Sequence, residues 1–135
     1  MNEGDFIEGG ALNSFGEKFD FEGKEFKPTM KYNLLGTTMN YYIENSILDI
    51  PDYIKIDVDG IEHLILEGGD KFLNDKKVKS LSIEINENFK QQYETVLYLM
   101  KKYGFKLLHK KHNEDMFSKQ SKFDKTFNYI FVKQK

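Results

Sequence analysis

The 135-residue chain has no cysteine, no tryptophan and only two prolines. Without cysteine, disulfide bonds, thiolate catalysis and cysteine-ligated zinc are excluded. The 20 basic residues are all lysine, so the two-pronged clamps that arginine forms on phosphate or carboxylate are excluded as well. No apolar run approaches the roughly 20 residues of a membrane-spanning helix, and the first residues lack a basic-then-apolar signal region. We therefore expect a cytoplasmic protein with no membrane contact.

The composition still supports a folded core. Hydrophobic residues make up 39% of the chain and aromatic residues 15%, which argues against disorder although 31% of the residues are charged. The length fits a single domain over residues 1–135. Positive charge is concentrated in residues 101–135, where it could steer an anionic ligand. A solvated lysine-rich surface is the simpler interpretation, and we expect no nucleic-acid partner.

The clearest periodic patterns lie in residues 37–135. They predict strands over 53–58 and 79–86, helices over 61–74 and 89–103, and closing strands over 105–108 and 127–132. This alternation is typical of an α/β fold. The first two strands are joined through a helix and should be parallel neighbours. The last two have a polar loop between them and should be antiparallel.

Residues 1–36 are less regular, and we expect irregular or β structure there. Residues 19–26 alternate around a glycine and predict a weak hairpin, and a short strand is expected around 32–35. Thr37 or Thr38 offers an N-cap to a helix that Pro51 ends. The glycines of 9–16 are a poor match to a nucleotide-binding loop, because no helix is predicted to follow them.

Four carboxylates should converge at one edge of the predicted sheet, where ligands of open α/β sheets bind. Two of them end the parallel strands, one lies in the turn after the first strand and one lies in the first turn of the next helix: Asp57, Glu84, Asp59 and Glu62. Lys55 lies on the same side of its strand as Asp57. Carboxylates crowded in this way can act as a general base with a raised pKa, or can bind a divalent cation.

Each of these residues also has a purely structural interpretation. Asp59 precedes a glycine in a good turn pair, Glu62 is favoured near a helix N-terminus, and Lys55 could simply pair with Asp57. Histidines offer less. His63 lies beside Glu62 but away from the apolar stripe of its helix, so we expect it at the surface. His109 and His112 lie among lysines without a positioned carboxylate or third ligand, and we expect both to be solvated.

The central motif resembles that of FkbM-type methyltransferases. The matching segments are Pro51-Asp52-Tyr53-Ile54-Lys55-Ile56-Asp57-Val58-Asp59-Gly60-Ile61-Glu62, then Leu66-Glu67-Gly68-Gly69, then Leu81-Ser82-Ile83-Glu84-Ile85. Weaker matches extend the resemblance from about residue 9 to residue 133. It implies the C-terminal half of a class I, Rossmann-like sheet that ends in an antiparallel strand pair.

The resemblance also implies an activity, which is S-adenosylmethionine-dependent methylation of a sugar or natural-product hydroxyl. Lys55, Asp57, Glu62 and Glu84 are the catalytic residues it implies. In this family the cofactor is held mainly by an N-terminal glycine loop and a following acidic residue, and this chain matches neither. We therefore expect either a truncated gene product or an enzyme whose cofactor-binding half is on another polypeptide, and weak cofactor binding by the chain alone.

Two other functions remain open at this point. The chain could be a non-catalytic binding module derived from a methyltransferase, or a small metal-dependent enzyme that uses the carboxylates. In either case the strand at 53–58 should have an uncovered edge unless residues 1–36 pair with it. A homodimer or a complex with a second polypeptide is expected across that edge.

Overall fold

The structure, a computed structural model, describes residues 2–3 (backbone only), 14–25, 27–112 and 123–134. In chain order its elements are β1 (Asn2–Glu3), β2 (Met30–Lys31), α1 (Met39–Glu44), β3 (Tyr53–Ile56), α2 (Glu62–Glu67), α3 (Asp70–Asn74), β4 (Ser80–Asn86), α4 (Lys90–Lys102), β5 (Phe105–Lys111) and β6 (Thr126–Lys133). The fold is therefore mixed α/β, as the sequence predicts.

The main sheet has four strands in the order β3-β4-β6-β5. Strands β3 and β4 are parallel, with Tyr53 opposite Ser80 and Ile56 opposite Ile83. Strand β6 lies antiparallel between β4 and β5. Both the parallel pair and the antiparallel ending are thus confirmed, and β6 separates β5 from β4.

The connection between β3 and β4 differs from the prediction of one helix over 61–74. It consists of two short helices, α2 and α3, separated at Gly68 and Gly69. Glycine is the poorest helix former after proline, which favours a break at this pair. At Gly69 a Cβ atom would lie 1.7 Å from the Phe72 ring, so only glycine allows the ring to pack against the break.

The N-terminal predictions are met in part. The hairpin at 19–26 is reduced to one bridge between Phe19 and Glu25. The strand expected around 32–35 is wrong: the structure has only two-residue β2, which pairs with β1. Thr38 is the N-cap of α1, and its hydroxyl oxygen accepts a hydrogen bond from the Tyr41 N–H at 3.2 Å. The glycine segment 9–16 lies mostly outside the described residues.

Helix α1 is also shorter than predicted. It ends at Glu44, well before Pro51, and the chain turns at Ser46, whose φ is 55°. The Asn45 side chain donates a hydrogen bond to the Tyr41 carbonyl at 2.8 Å, satisfying an acceptor at the helix end. Local capping, not the proline, therefore ends the helix.

The core lies between the sheet and the helices. Its buried residues come from β3 to β6, from α2 to α4 and from the α3–β4 connection: Ile56, Leu66, Phe72, Leu73, Val78, Leu81, Ile83, Ile85, Val96, Leu99, Met100, Phe105, Tyr129 and Phe131. Within the described part of the chain, no helix is long and apolar enough to cross a membrane.

Strand β3 is at the end of the sheet. Among the described residues no strand pairs with its outer side, since β1 and β2 pair only with each other. The Tyr53 side chain is 70% exposed at this edge. The described N-terminal residues therefore do not cover the edge in the way that one of our two expectations required.

Candidate active site

The strand register brings the two main candidate residues together. Ile56 is opposite Ile83 in the parallel pair, so Asp57 and Glu84 follow as the next positions on the two strands. Their side chains interact directly. The negative charge of Asp57 and a hydrogen bond between the two side chains both raise the pKa of Glu84. The two carboxylates thus lie together at the carboxyl ends of the parallel strands, as we expect from the sequence.

Lys55 pairs with Asp57. Its Nζ lies 2.6 Å from Asp57 Oδ2, and the two side chains are 66% and 40% exposed. The hydrogen bond to Asp57 and the charge of Asp57 raise the pKa of Lys55. The pair is open to solvent, so it contributes little to folding stability. Its main consequence is to fix a carboxylate beside Glu84.

Glu84 has the pKa that best suits a residue that transfers protons. Burial raises its pKa first, and the negative charges of Asp57, Glu62 and Asp59 raise it further, to about 7. A general base is most effective when its pKa is near the working pH. At neutral pH Glu84 therefore has comparable populations of the carboxylate and the acid, and it can accept or donate a proton.

Glu62 is buried and has a different environment. Its carboxylate accepts hydrogen bonds from the backbone N–H of Val58 at 3.1 Å and from that of Gly60 at 3.1 and 3.3 Å. The side-chain amide of Gln92 donates a further hydrogen bond to it. Burial raises the pKa of Glu62 in spite of these donors. These contacts hold the turn that follows β3, so they favour a positioning role for Glu62 over direct contact with a substrate.

The turn itself requires glycine. Asp59 and Gly60 both have positive φ, 57° and 110°. A Cβ atom at Gly60 would lie 2.8 Å from the Cα of Phe21, a contact that no ordinary side chain allows. The turn at Asp20–Gly23 therefore packs directly on the turn that carries Asp59, and it forms one wall of the site.

Two polar residues, Gln92 and Asn86, complete the site although no sequence motif marks them. Gln92, on α4, accepts a hydrogen bond from the Asn86 N–H at 2.9 Å while its amide group binds Glu62. The Asn86 side chain donates to the Phe21 carbonyl at 3.1 Å. Neither belongs to a recognisable motif. The one clue is that Gln92 lies four and seven positions before Val96 and Leu99, which places it on the apolar face of α4.

A narrow cleft opens between these residues. It is lined by Asp59, Glu62, Glu84, Asn86 and Gln92, with Phe21 and Phe123 at its sides. Its volume of about 20 Å³ is enough for roughly one water molecule. A larger ligand would have to approach Glu84 from the exposed side, where Lys55 and Asp57 lie.

The expectation for His63 is wrong. It is fully buried in α2, where its ring lies 5.5 Å from that of Phe89 and 6.2 Å from that of Phe19. Neither ring nitrogen has a hydrogen-bond partner among the described residues, and burial lowers the pKa of His63. The residue was misjudged because segment 14–25 covers a face of α2 that the periodicity of α2 alone marks as outward.

The other two histidines lie away from the carboxylates. His109 is exposed on β5, as expected. His112 is only half-exposed, because its ring packs 5.0 Å from that of Phe127. No group of three or more His, Cys, Asp or Glu residues in the described ranges could hold a metal ion, so the divalent cation considered from sequence has no support.

Comparison with known proteins gives one match. The model of the methyltransferase FkbM domain matches residues 31–107, which is more than half of the chain. The matched span includes Lys55, Asp57, Glu62 and Glu84. No curated protein and no solved structure matches the chain.

Proposed function

The chain belongs to the family of FkbM methyltransferase domains, and we propose that it activates the acceptor hydroxyl in an S-adenosylmethionine-dependent O-methylation. The observation that carries the proposal is the pKa of Glu84, about 7, in a cluster of carboxylates at the ends of two parallel strands. A sugar or natural-product hydroxyl is the proposed acceptor. The sheet order, with an antiparallel strand inserted at the end, supports the further proposal of a partial Rossmann-like fold.

In this proposal Glu84 is the general base. Its carboxylate takes the proton of the acceptor hydroxyl, so that the oxygen becomes a better nucleophile and Glu84 becomes the neutral acid. The negative charge of Asp57 increases the proton affinity of Glu84, and Lys55 holds Asp57 in place. Glu62 acts through the backbone by fixing the turn after β3. General-base catalysis of this kind contributes about 10²–10⁴-fold to a rate.

The chain does not match the family's N-terminal glycine loop, and the cleft beside Glu84 is not the site of the cofactor. The cleft beside Glu84 has a volume of about 20 Å³, far too small for a nucleoside. We therefore assign to this chain only the proton transfer from the acceptor, and we propose that the cofactor is held by a second polypeptide. A cytoplasmic location is part of the same proposal, because a chain without cysteine needs no oxidising compartment for its folding.

The outer edge of β3 is the proposed docking surface for that polypeptide. Strand β3 is an edge strand, and its outer edge pairs with no strand among the described residues. Its backbone N–H and C=O groups are therefore available to an incoming strand. Apolar side chains lie exposed around it: Ile47 and Leu48 before the strand, Tyr53 within it and Val58 after it. A strand of a cofactor-binding half would extend the sheet and cover these residues.

Fragment complementation tests the proposed activity. The chain is mixed with a separately expressed cofactor-binding half of another FkbM-type methyltransferase, and transfer of label from methyl-tritiated S-adenosylmethionine to a panel of sugars is measured. Glu84→Gln should lower the rate about 100-fold or more, whereas Glu94→Gln, an exposed substitution on α4, should leave it unchanged. No labelled product from the wild-type mixture, or full activity of Glu84→Gln, would contradict the proposal.

A matched pair of tyrosine substitutions tests the docking surface. Tyr53→Lys places a charge at the β3 edge and should weaken binding of the cofactor-binding half. Tyr98→Lys changes an equally exposed tyrosine on α4 and should not. Affinities are measured by calorimetry, with the mass of the isolated chain determined by light scattering. If the isolated chain is a homodimer and Tyr53→Lys dissociates it, the partner at this surface is a second copy of the chain and not a second polypeptide.

A further inference from the structure

A lysine-lined cleft lies at the end of the sheet opposite the carboxylates. Lys79 precedes β4, Lys133 ends the antiparallel β6 and Lys102 ends α4, so all three meet where the parallel strands begin. Lys76 of the α3–β4 connection completes the group. Lys79 and Glu84 are five residues apart along β4, which separates the two sites by about 16 Å.

We propose that this cleft binds a small phosphorylated molecule, through its phosphate groups. The proposal is independent of the methyltransferase activity proposed above, because none of the four lysines belongs to the carboxylate site. The cleft has a volume of about 710 Å³, within the range of sites that enclose a small molecule.

The charges in the cleft are mostly uncompensated. Of the four lysines, only Lys79 forms an ion pair among the described residues, with Asp52 at 2.6 Å. The two other carboxylates that influence the group are Asp75, near Lys133, and Asp70, near Lys102. Lysine binds phosphate as a compact point charge. A ligand with two or more negative charges would therefore match the positive charge better than a single carboxylate would.

The walls of the cleft hold two of the lysine ends in place. Lys133 donates a hydrogen bond to the Leu73 carbonyl, and its Nζ lies 4.4 Å from the centre of the Phe105 ring. The Nζ of Lys102 lies 4.9 Å from the centre of the Tyr103 ring. Attraction to an aromatic face restrains a lysine that would otherwise be mobile. Side chains that are already restrained lose less entropy when an anion binds.

Partial burial of Lys133 supports the same interpretation. Its side chain is only partly exposed, and burial lowers its pKa. A partly buried cation that forms no ion pair among the described residues has a desolvation cost that a bound anion would offset. The polar side chains of Asn74 and Tyr103, which also line the cleft, could bind the uncharged part of a ligand.

Calorimetric titration of the whole chain with inorganic pyrophosphate at low salt tests the proposal. Pyrophosphate should bind at least tenfold more tightly than sulfate, which also presents anionic oxygens but is smaller and carries less charge. The double variant Lys76→Gln/Lys102→Gln removes two charges that make no ion pair and should weaken pyrophosphate binding at least tenfold. Lys133→Gln should weaken it too, and its melting temperature shows whether lost contacts with Leu73 and Phe105 affect folding.

The matched control is Lys106→Gln/Lys111→Gln, which removes two exposed lysines from β5 outside the cleft. It should change the affinity for pyrophosphate less than twofold. Equal weakening in both double variants would overturn the proposal, because binding would then follow general surface charge. Absence of binding to the wild-type chain would overturn it directly. A single-stranded oligonucleotide that binds tightly and depends equally on both lysine pairs would assign the surface to nucleic acid instead.

Discussion

Asp57 and Glu84 lie next to each other at the carboxyl ends of two hydrogen-bonded parallel strands, and the charge of Asp57 raises the pKa of Glu84. Burial of Glu84 is the largest cause of its raised pKa, and the neighbouring carboxylates raise the pKa further. Perturbed pKa values gather at functional sites because catalysis needs them, although structural groups can show them as well. Together with family membership, the proximity of Asp57 and Glu84 supports Glu84 as the general base.

Replacing Glu62 by alanine should destabilise the protein by about 2–4 kcal/mol, because the buried Gly60 N–H, the partly buried Val58 N–H and the Gln92 amide lose their acceptor and a cavity remains. Urea unfolding at pH 7 measures the change. The control is Glu67→Ala at the exposed end of the same helix, which should change stability by no more than about 0.5 kcal/mol. Equal effects of the two substitutions would show that the Glu62 contacts do not hold the turn.

His63→Leu should make the protein less sensitive to acid. The pKa of His63 is lowered in the folded state, so the wild-type protein loses stability as the pH falls below the unfolded value of 6.5. The carboxylates of Glu67 and Glu17 oppose the shift without reversing it. The gain in free energy of unfolding from His63→Leu should thus be larger at pH 5 than at pH 8, while exposed His109→Leu should show no such difference. An equal effect at both pH values would disprove a buried, neutral His63.

Much of the fold follows from sequence because its signals are local. Alternating residues define β3 and β4, their connection through helices makes them parallel, and the apolar face of α4 fixes where it packs. The break at Gly68 and Gly69 was missed, because the apolar periodicity continues across it and only contact with Phe72 shows why glycine is needed.

Only the site residues at strand ends and at the start of α2 were predictable from the sequence. Asp57 and Glu84 follow from the ends of two parallel strands, and Glu62 follows from the helix start. The distant residues of the site do not: Gln92, which binds Glu62, comes from a helix 30 residues further along. Phe21, whose carbonyl accepts a hydrogen bond from Asn86, comes from a segment whose packing no periodicity indicates. Burial of His63 depends on the same segment, 14–25, so both errors have one tertiary cause.

Glu84→Gln should change how stability depends on pH. The folded-state pKa of about 7 is above the ordinary value of 4.5. The raised pKa of Glu84 therefore contributes fully to the free energy of unfolding below pH 4.5. This contribution is lost as the pH rises from 4.5 through 7. Glutamine cannot ionise, so the variant should gain about 1–2 kcal/mol over wild type between pH 4.5 and 8, a range reduced to allow for solvent screening of a partly exposed group.

Thermal unfolding across this pH range measures that gain, with Glu94→Gln as the matched exposed control. A constant difference between Glu84→Gln and wild type at every pH would mean that Glu84 ionises as an ordinary glutamate in the folded protein.

The ionisation of Glu84 can be measured directly by ¹³C NMR titration of its side-chain carboxyl in the wild-type chain and in Asp57→Asn. We predict a pKa of about 7 in the wild type. In Asp57→Asn, which is nearly isosteric and removes one negative charge, the pKa should fall but stay above 4.5, since burial is the larger cause. A wild-type pKa near 4.5, or one that Asp57→Asn leaves unchanged, would contradict the assignment of Glu84 as a general base supported by Asp57.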